Sequence, residues 1–182
     1  VVTQQSPGIQ VAVHGHPNAD TLLLWHPGVR TDPEAVAALA SRIATRAKVR
    51  VVVPTWTDGG DLLRSVRYAR ESSVHPPDGL SVVGYGEAGI AALSLALNQR
   101  RLGIGLVRAT CVDGGPDLTD PISGQPLVAA ASPVTTEVDV IDSADAGSSA
   151  WAVDTVDAWK SAGWAASLVP AAQFTWRVNP SQ

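Results

Sequence analysis

Four histidines and a single cysteine make up the chain's stock of soft or basic reactive groups, and their spacing limits what they can do. His14 and His16 stand two apart and could share one face of a strand, but no further ligand lies near them. The segment Gly15-His16-Pro17-Asn18-Ala19-Asp20 therefore reads as turn chemistry and not as a metal site. Cys111 has no partner for a disulfide and sits inside the apolar run Leu106–Val112, where it reads as core. His26, Asp113 and Asp145 are placed differently, each just beyond a short apolar run. If those runs are parallel strands, their carboxyl ends meet along one edge of a sheet, where residues distant in sequence can act together. The stretch Gly84-Tyr85-Gly86-Glu87-Ala88-Gly89 follows the run from Leu80 to Val83 and precedes an Ala/Leu segment. A glycine turn opening a helix presents backbone N–H groups, which is chemistry for holding a carbonyl oxygen or a small anion.

Strand and helix alternate along the segments that bracket these residues. Strands are expected at Ile9–His14, Thr21–Trp25, Val49–Val53, Leu80–Val83, Leu106–Val112, Glu137–Ile141 and Ala165–Val169. The run Thr21–Trp25 is apolar throughout, as expected of a strand buried on both faces. Asp32-Pro33-Glu34 carries a cap, a first-turn proline and an acidic residue, and Ala35, Leu39, Ile43 and Ala47 continue one apolar stripe. Further helices are expected from Asp61 to Arg70, along Ile90–Asn98, and from Ser148 to Ala162 with Gly163 closing the last. Glu137 and Asp139 alternate along their strand, which marks one face there as less buried. His75 falls in the Pro-rich loop before Gly79 and reads as an exposed loop residue.

The turn at Gly84–Gly89 closely resembles the nucleophile elbow of the α/β-hydrolase family, in which G-x-S-x-G stands between a strand and a helix. Gly84 matches the first glycine, Ala88 stands as a small substitute for the second, and Gly89 matches a helix-packing glycine beyond the motif. The nucleophile position is Gly86. His26-Pro27-Gly28-Val29 looks like the loop that supplies one backbone N–H to the oxyanion hole. Pro27 has none to give, so the resemblance implies Gly28 or Val29 as donor, together with Glu87 after the elbow. Asp145, in the loop after the penultimate strand, resembles the triad acid, and the catalytic histidine would fall near Gln173. No histidine occurs after His75, and only about eight residues follow the resembling region, short of the mean helix length. Either the ordinary serine-ester chemistry is absent or Gly86 is an engineered change; the loss of serine and histidine together argues for a native departure.

The resemblance implies a single domain over residues 1–182, a three-layer α/β/α sandwich with a mostly parallel sheet of about seven strands and no cap. It implies a non-catalytic protein that binds a small molecule or a protein partner. The alternative is an active esterase with a displaced constellation, drawn from His26, Asp113, Glu87 or Asp145 acting on a water. A third reading takes Gly84–Gly89 as the G-x-G-x-x-G of a dinucleotide site, with Asp113 as the ribose-binding acid. That motif belongs in a first βα unit, whereas about 80 residues precede it here.

Composition narrows the partners. At 182 residues, with 45% hydrophobic and 16% charged side chains, the chain can bury one core. A net charge of −4 with scattered basic residues favours neither nucleic acid nor an anionic membrane, and no apolar run is long enough to span a bilayer. No cofactor and no metal are expected. The six tryptophans would support a binding role if several were exposed. Packing around the last helix is the expectation for at least two of Trp151, Trp159 and Trp164. The lack of any methionine is expected of a trimmed or processed chain. A cytoplasmic location is the default expectation, a removed signal peptide the alternative, and the oligomeric state is open.

Overall fold

A computed structural model describes residues 2–6, 9–28, 31–74, 79–142 and 149–170. Among these residues eight strands form one sheet, β1 (Val2–Ser6), β2 (Ile9–His14), β3 (Thr21–Trp25), β4 (Arg50–Thr55), β5 (Leu80–Tyr85), β6 (Leu106–Val112), β7 (Glu137–Asp142) and β8 (Ala165–Pro170). Their order is β1-β2-β4-β3-β5-β6-β7-β8. β1 and β2 pair antiparallel, as do β2 and β4, while every other pairing is parallel. The expected count of about seven is one short, because β1 was not read from the sequence. Its residues, Val-Thr-Gln-Gln-Ser, carry no apolar alternation, and an edge strand is recruited by backbone pairing more than by a buried face.

Among the described residues four helices cover the sheet, α1 (Pro33–Ala47), α2 (Gly59–Ser72), α3 (Glu87–Asn98) and α4 (Ala150–Ser161). Their starts are set by caps. The Asp32 carboxylate accepts from the N–H of Glu34, that of Asp58 from Asp61, and the Ser149 hydroxyl from Ala152. The Asp58 cap starts α2 two residues earlier than Asp61, and the Ser149 cap starts α4 later than Ser148. Gly163, with φ +97°, ends α4 in the left-handed conformation that favours glycine.

The two faces are built differently. On one, α1 buries Val36, Leu39, Ala40, Ile43 and Ala44 against Leu22, Leu24, Val51 and Val53, a stripe one position round from the expected Ala35 and Ala47. On the other, α2, α3 and α4 share a core with Leu23, Trp25, Val82, Ala109 and Val140. The strand positions alternate between these cores as their two-residue period requires. Trp159 and Trp164 pack edge to face at 4.7 Å, and both are buried. No helix among the described residues is long and apolar enough to cross a membrane.

Trp25 is fully enclosed, and its indole N–H donates to the Ser65 hydroxyl of α2 at 2.9 Å. That hydroxyl donates in turn to the Leu62 carbonyl at 2.6 Å. Ser65→Ala leaves the indole N–H unpaired in the core, and denaturant unfolding should show a loss of about 1–3 kcal/mol. A change under a few tenths would mean that the bond carries no net stability.

Candidate active site

The parallel register brings the elbow and the loop after β3 together. Trp25 pairs with Gly84 across β3 and β5, so the chain leaving each strand emerges side by side at the same edge. A Cβ built on Gly86 would lie 4.0 Å from the Pro27 Cβ, which places the elbow tip against the 26–28 loop. Gly86 has φ +61° and ψ −124°, a backbone conformation that L side chains rarely adopt. Its N–H donates to the Val112 carbonyl at 2.7 Å, and its carbonyl accepts from Gly89 at 2.9 Å. The turn is thus held from both sides, with its tip at the N-terminus of α3.

Glycines set how closely that helix approaches. A Cβ on Gly84 would lie 2.0 Å from the Ala88 carbonyl oxygen, and one on Gly89 would lie 2.8 Å from Cys111 Sγ. These two glycines of the G-x-G-x-x-G string serve the packing of α3 on β5 and β6. Cys111 is fully buried, and burial pushes its thiol up to about 12, so it holds its proton at neutral pH and is no nucleophile.

The groups flanking the tip are committed locally. The Gly28 N–H, expected as an oxyanion donor, instead donates to His26 Nδ1 at 3.1 Å. His26 Nε2 donates to the Pro54 carbonyl at 3.1 Å, and the His26 carbonyl accepts from the Trp56 indole at 3.0 Å. Both ring nitrogens are therefore engaged, one as acceptor and one as donor, which is the neutral imidazole. Burial lowers the His26 pKa, outweighing the two backbone hydrogen bonds that raise it. In this arrangement the ring ties the end of β3 to the end of β4 and has no free nitrogen with which to take a proton from water. Glu87 is exposed at the first position of α3, where its N–H has no intrahelical acceptor.

Asp113 stands at the end of β6, next to the elbow across the sheet. Its φ of +57° is left-handed, and its N–H donates to the Ile141 carbonyl at 2.9 Å. Beside it the Tyr85 phenol is buried, and burial together with the Asp113 charge raises its pKa. Val29, His75, Asp145 and Gln173 lie outside the described residues. Among the described residues no group of three or more His, Cys, Asp and Glu could hold a metal ion. Trp25, Trp56, Trp159 and Trp164 are buried and Trp151 half-buried, so none of these five is fully exposed. His14 ends β2, as expected of the strand Ile9–His14, but its side chain is buried, a place for which no role was assigned above. Its place two and four residues after Ala12 and Gln10, on the face opposite Val11 and Val13, was the available signal.

No family model matches the sequence, and no curated protein matches it. Solved structures do resemble it. An esterase from the archaeon Pyrobaculum calidifontis is 13% identical with a TM-score of 0.69, over 93% of this chain and 73% of that one. A hormone-sensitive lipase from a metagenome library is 12% identical with a TM-score of 0.66, over 93% and 75%. An α/β-hydrolase enzyme from a Medee basin deep-sea metagenome library is 13% identical with a TM-score of 0.61, over 92% and 77%. At such identities the likeness establishes the fold, and the chain has the α/β-hydrolase fold.

Two measurements test this geometry. Gly86→Ala meets only ordinary contact at its Cβ, so its cost should be the backbone strain alone, about 1–3 kcal/mol in denaturant unfolding. An unchanged midpoint would contradict the positive φ. For His26 the folded pKa lies below its ordinary value of 6.5. As pH falls through 6.5 the unfolded chain binds the proton first, so stability should decline from there towards the folded value and be flat above. His26→Gln should reduce that slope, and an equal slope in the variant would place the titration elsewhere.

Proposed function

We propose that this α/β-hydrolase-fold protein is non-catalytic at its elbow and uses the retained frame to bind a small ligand or a protein partner. The observation that supports it most is Gly86 itself. The strand, turn and helix N-terminus of a nucleophile elbow are kept, while the residue at the tip has no side chain with which to attack a carbonyl. A nucleophile, a base to take its proton and an acid to orient the base are the minimum for that chemistry. The neighbouring histidine, His26, is held neutral with both nitrogens occupied, which argues against its service as a base. What the frame can still offer is the N–H of Glu87 at the positive end of α3, suited to a carbonyl oxygen. The exposed Glu87 carboxylate opposes an anion there, so a neutral carbonyl is the better fit.

Esters are the substrates to try, since one of the similar structures is an esterase. Purified protein should give no turnover of short acyl esters above buffer. Gly86→Ser should also remain inactive, because a serine without a base is a weak nucleophile at neutral pH. Turnover by the unmodified chain that vanishes in His26→Ala would overturn this reading in favour of a displaced site built on His26.

A further inference from the structure

A cavity of about 360 Å³ lies on the α1 face of the sheet, between the first turns of α1 and the strands β2 and β4. It shares the 26–28 loop with the elbow, but neither Gly86 nor Glu87 lines it. Its walls are largely apolar, with Ala12, Val36, Val53, Pro54 and Trp56 among them, and no charged side chain stands among its described lining residues. Its volume falls at the small end of the roughly 300–1,000 Å³ typical of ligand pockets.

Two of its residues break the rule that buried polar groups are paired. His14 is 3% exposed, its ring forms part of the wall, and neither Nδ1 nor Nε2 has a hydrogen-bond partner. Thr31, at the entry to α1, lines the same cavity, and its hydroxyl oxygen is buried without a partner. Burial holds the His14 pKa down, so the ring is neutral and offers one donor and one acceptor. A hydroxyl group can answer whichever of the two nitrogens it meets, since it too donates and accepts. A charged ligand would find no countercharge on the described walls and would pay for its desolvation.

We propose that this cavity binds a small, uncharged, mostly apolar molecule bearing a hydroxyl group, a phenol or a cyclic alcohol, with its ring against the apolar walls and its hydroxyl at His14 and Thr31. The site does not depend on whether the elbow turns over an ester, and its test has no catalytic readout.

The full chain is titrated with phenol, toluene and benzoate, following the backbone amides of Val36, Ala37 and Val53 and the ring nitrogens of His14 by NMR. Two variants accompany it. His14→Phe keeps a ring but removes its polar atoms, and Ala37→Phe places a large side chain at an exposed α1 position that lines the cavity. Phenol should shift these resonances saturably. His14→Phe should weaken phenol about tenfold, the loss expected for one buried hydrogen bond, while leaving toluene within about twofold. Ala37→Phe should weaken both. If His14→Phe does not fold, the His14 ring-nitrogen shift in the unmodified chain and the loss in Ala37→Phe carry the test. The proposal is overturned if neither phenol nor toluene gives a saturable shift, if benzoate binds as tightly as phenol, or if phenol affinity is unchanged in His14→Phe.

Discussion

The close seating of α3 on β5 and β6 is the contact that fixes the rest of the molecule. Gly84 has no room for a Cβ because the Ala88 carbonyl would lie 2.0 Å away, and Gly89 has none because Cys111 and the Gly84 carbonyl occupy the space. Glycine inside a strand is costly in entropy and is kept where another backbone must come close. That closeness explains why α3 is buried from Ala88 to Ala96 and made almost wholly of Ala, Leu, Ile and Gly. It also aims the helix N-terminus at the carboxyl ends of the strands. With α3 fixed, the turn at Gly86 must swing through a positive φ to join strand to helix, and the loop after β3 is brought against its tip by the pairing of Trp25 with Gly84.

The same sheet shows a second constraint towards its other edge. On the face that carries α1, no described helix covers β6 to β8. Most positions pointing that way near the start of these strands are polar, with Arg108 paired to both Glu137 and Asp139 and Ser167 exposed beside Ala165. Opposite charges across adjacent strands suit an open face, where apolar side chains would leave a sticky patch. Towards the carboxyl ends the same face turns apolar, with Val112 and Ile141 buried. The division falls within single strands, so side-chain pattern rather than strand identity decides where this face meets water.

Legibility followed the range of the interactions. α1 could be placed from its local cap at Asp32, whereas the equally local caps at Asp58 and Ser149 were not read as such, which left the starts of α2 and α4 two residues off. The acidic alternation in β7 disclosed its open face for the same reason, since period two is written in the sequence. β1 was not legible because its pairing with β2 relies on backbone groups that any residue has. The engagement of His26 was hidden, since its Nε2 partner is a carbonyl 28 residues away. Gly28 shows the same limit: a loop glycine can be read as a free donor, but only geometry reveals that its N–H is already given to a ring nitrogen. The elbow was legible as a backbone motif, and the absence of a side chain at its tip needed no structure at all.

Natural chains break local rules where function requires it and satisfy them elsewhere. By that standard the elbow of this protein is nearly quiet. Its positive φ is met by glycine, its neighbouring histidine is satisfied on both nitrogens, and the thiol beneath it is buried and protonated. The unpaired buried polar atoms among the described residues are both nitrogens of His14, the Thr31 hydroxyl, Nε of Arg70 and, within the elbow stretch itself, the Tyr85 hydroxyl. His14, Thr31 and Tyr85 belong to the α1 side of the sheet, two of them in one cavity. An apolar isostere at His14 would satisfy the core without that penalty, so retaining an imidazole there is a cost the fold alone does not require. The cost falls away from the elbow, which separates the place where this fold ordinarily does chemistry from the place where this chain departs from good packing.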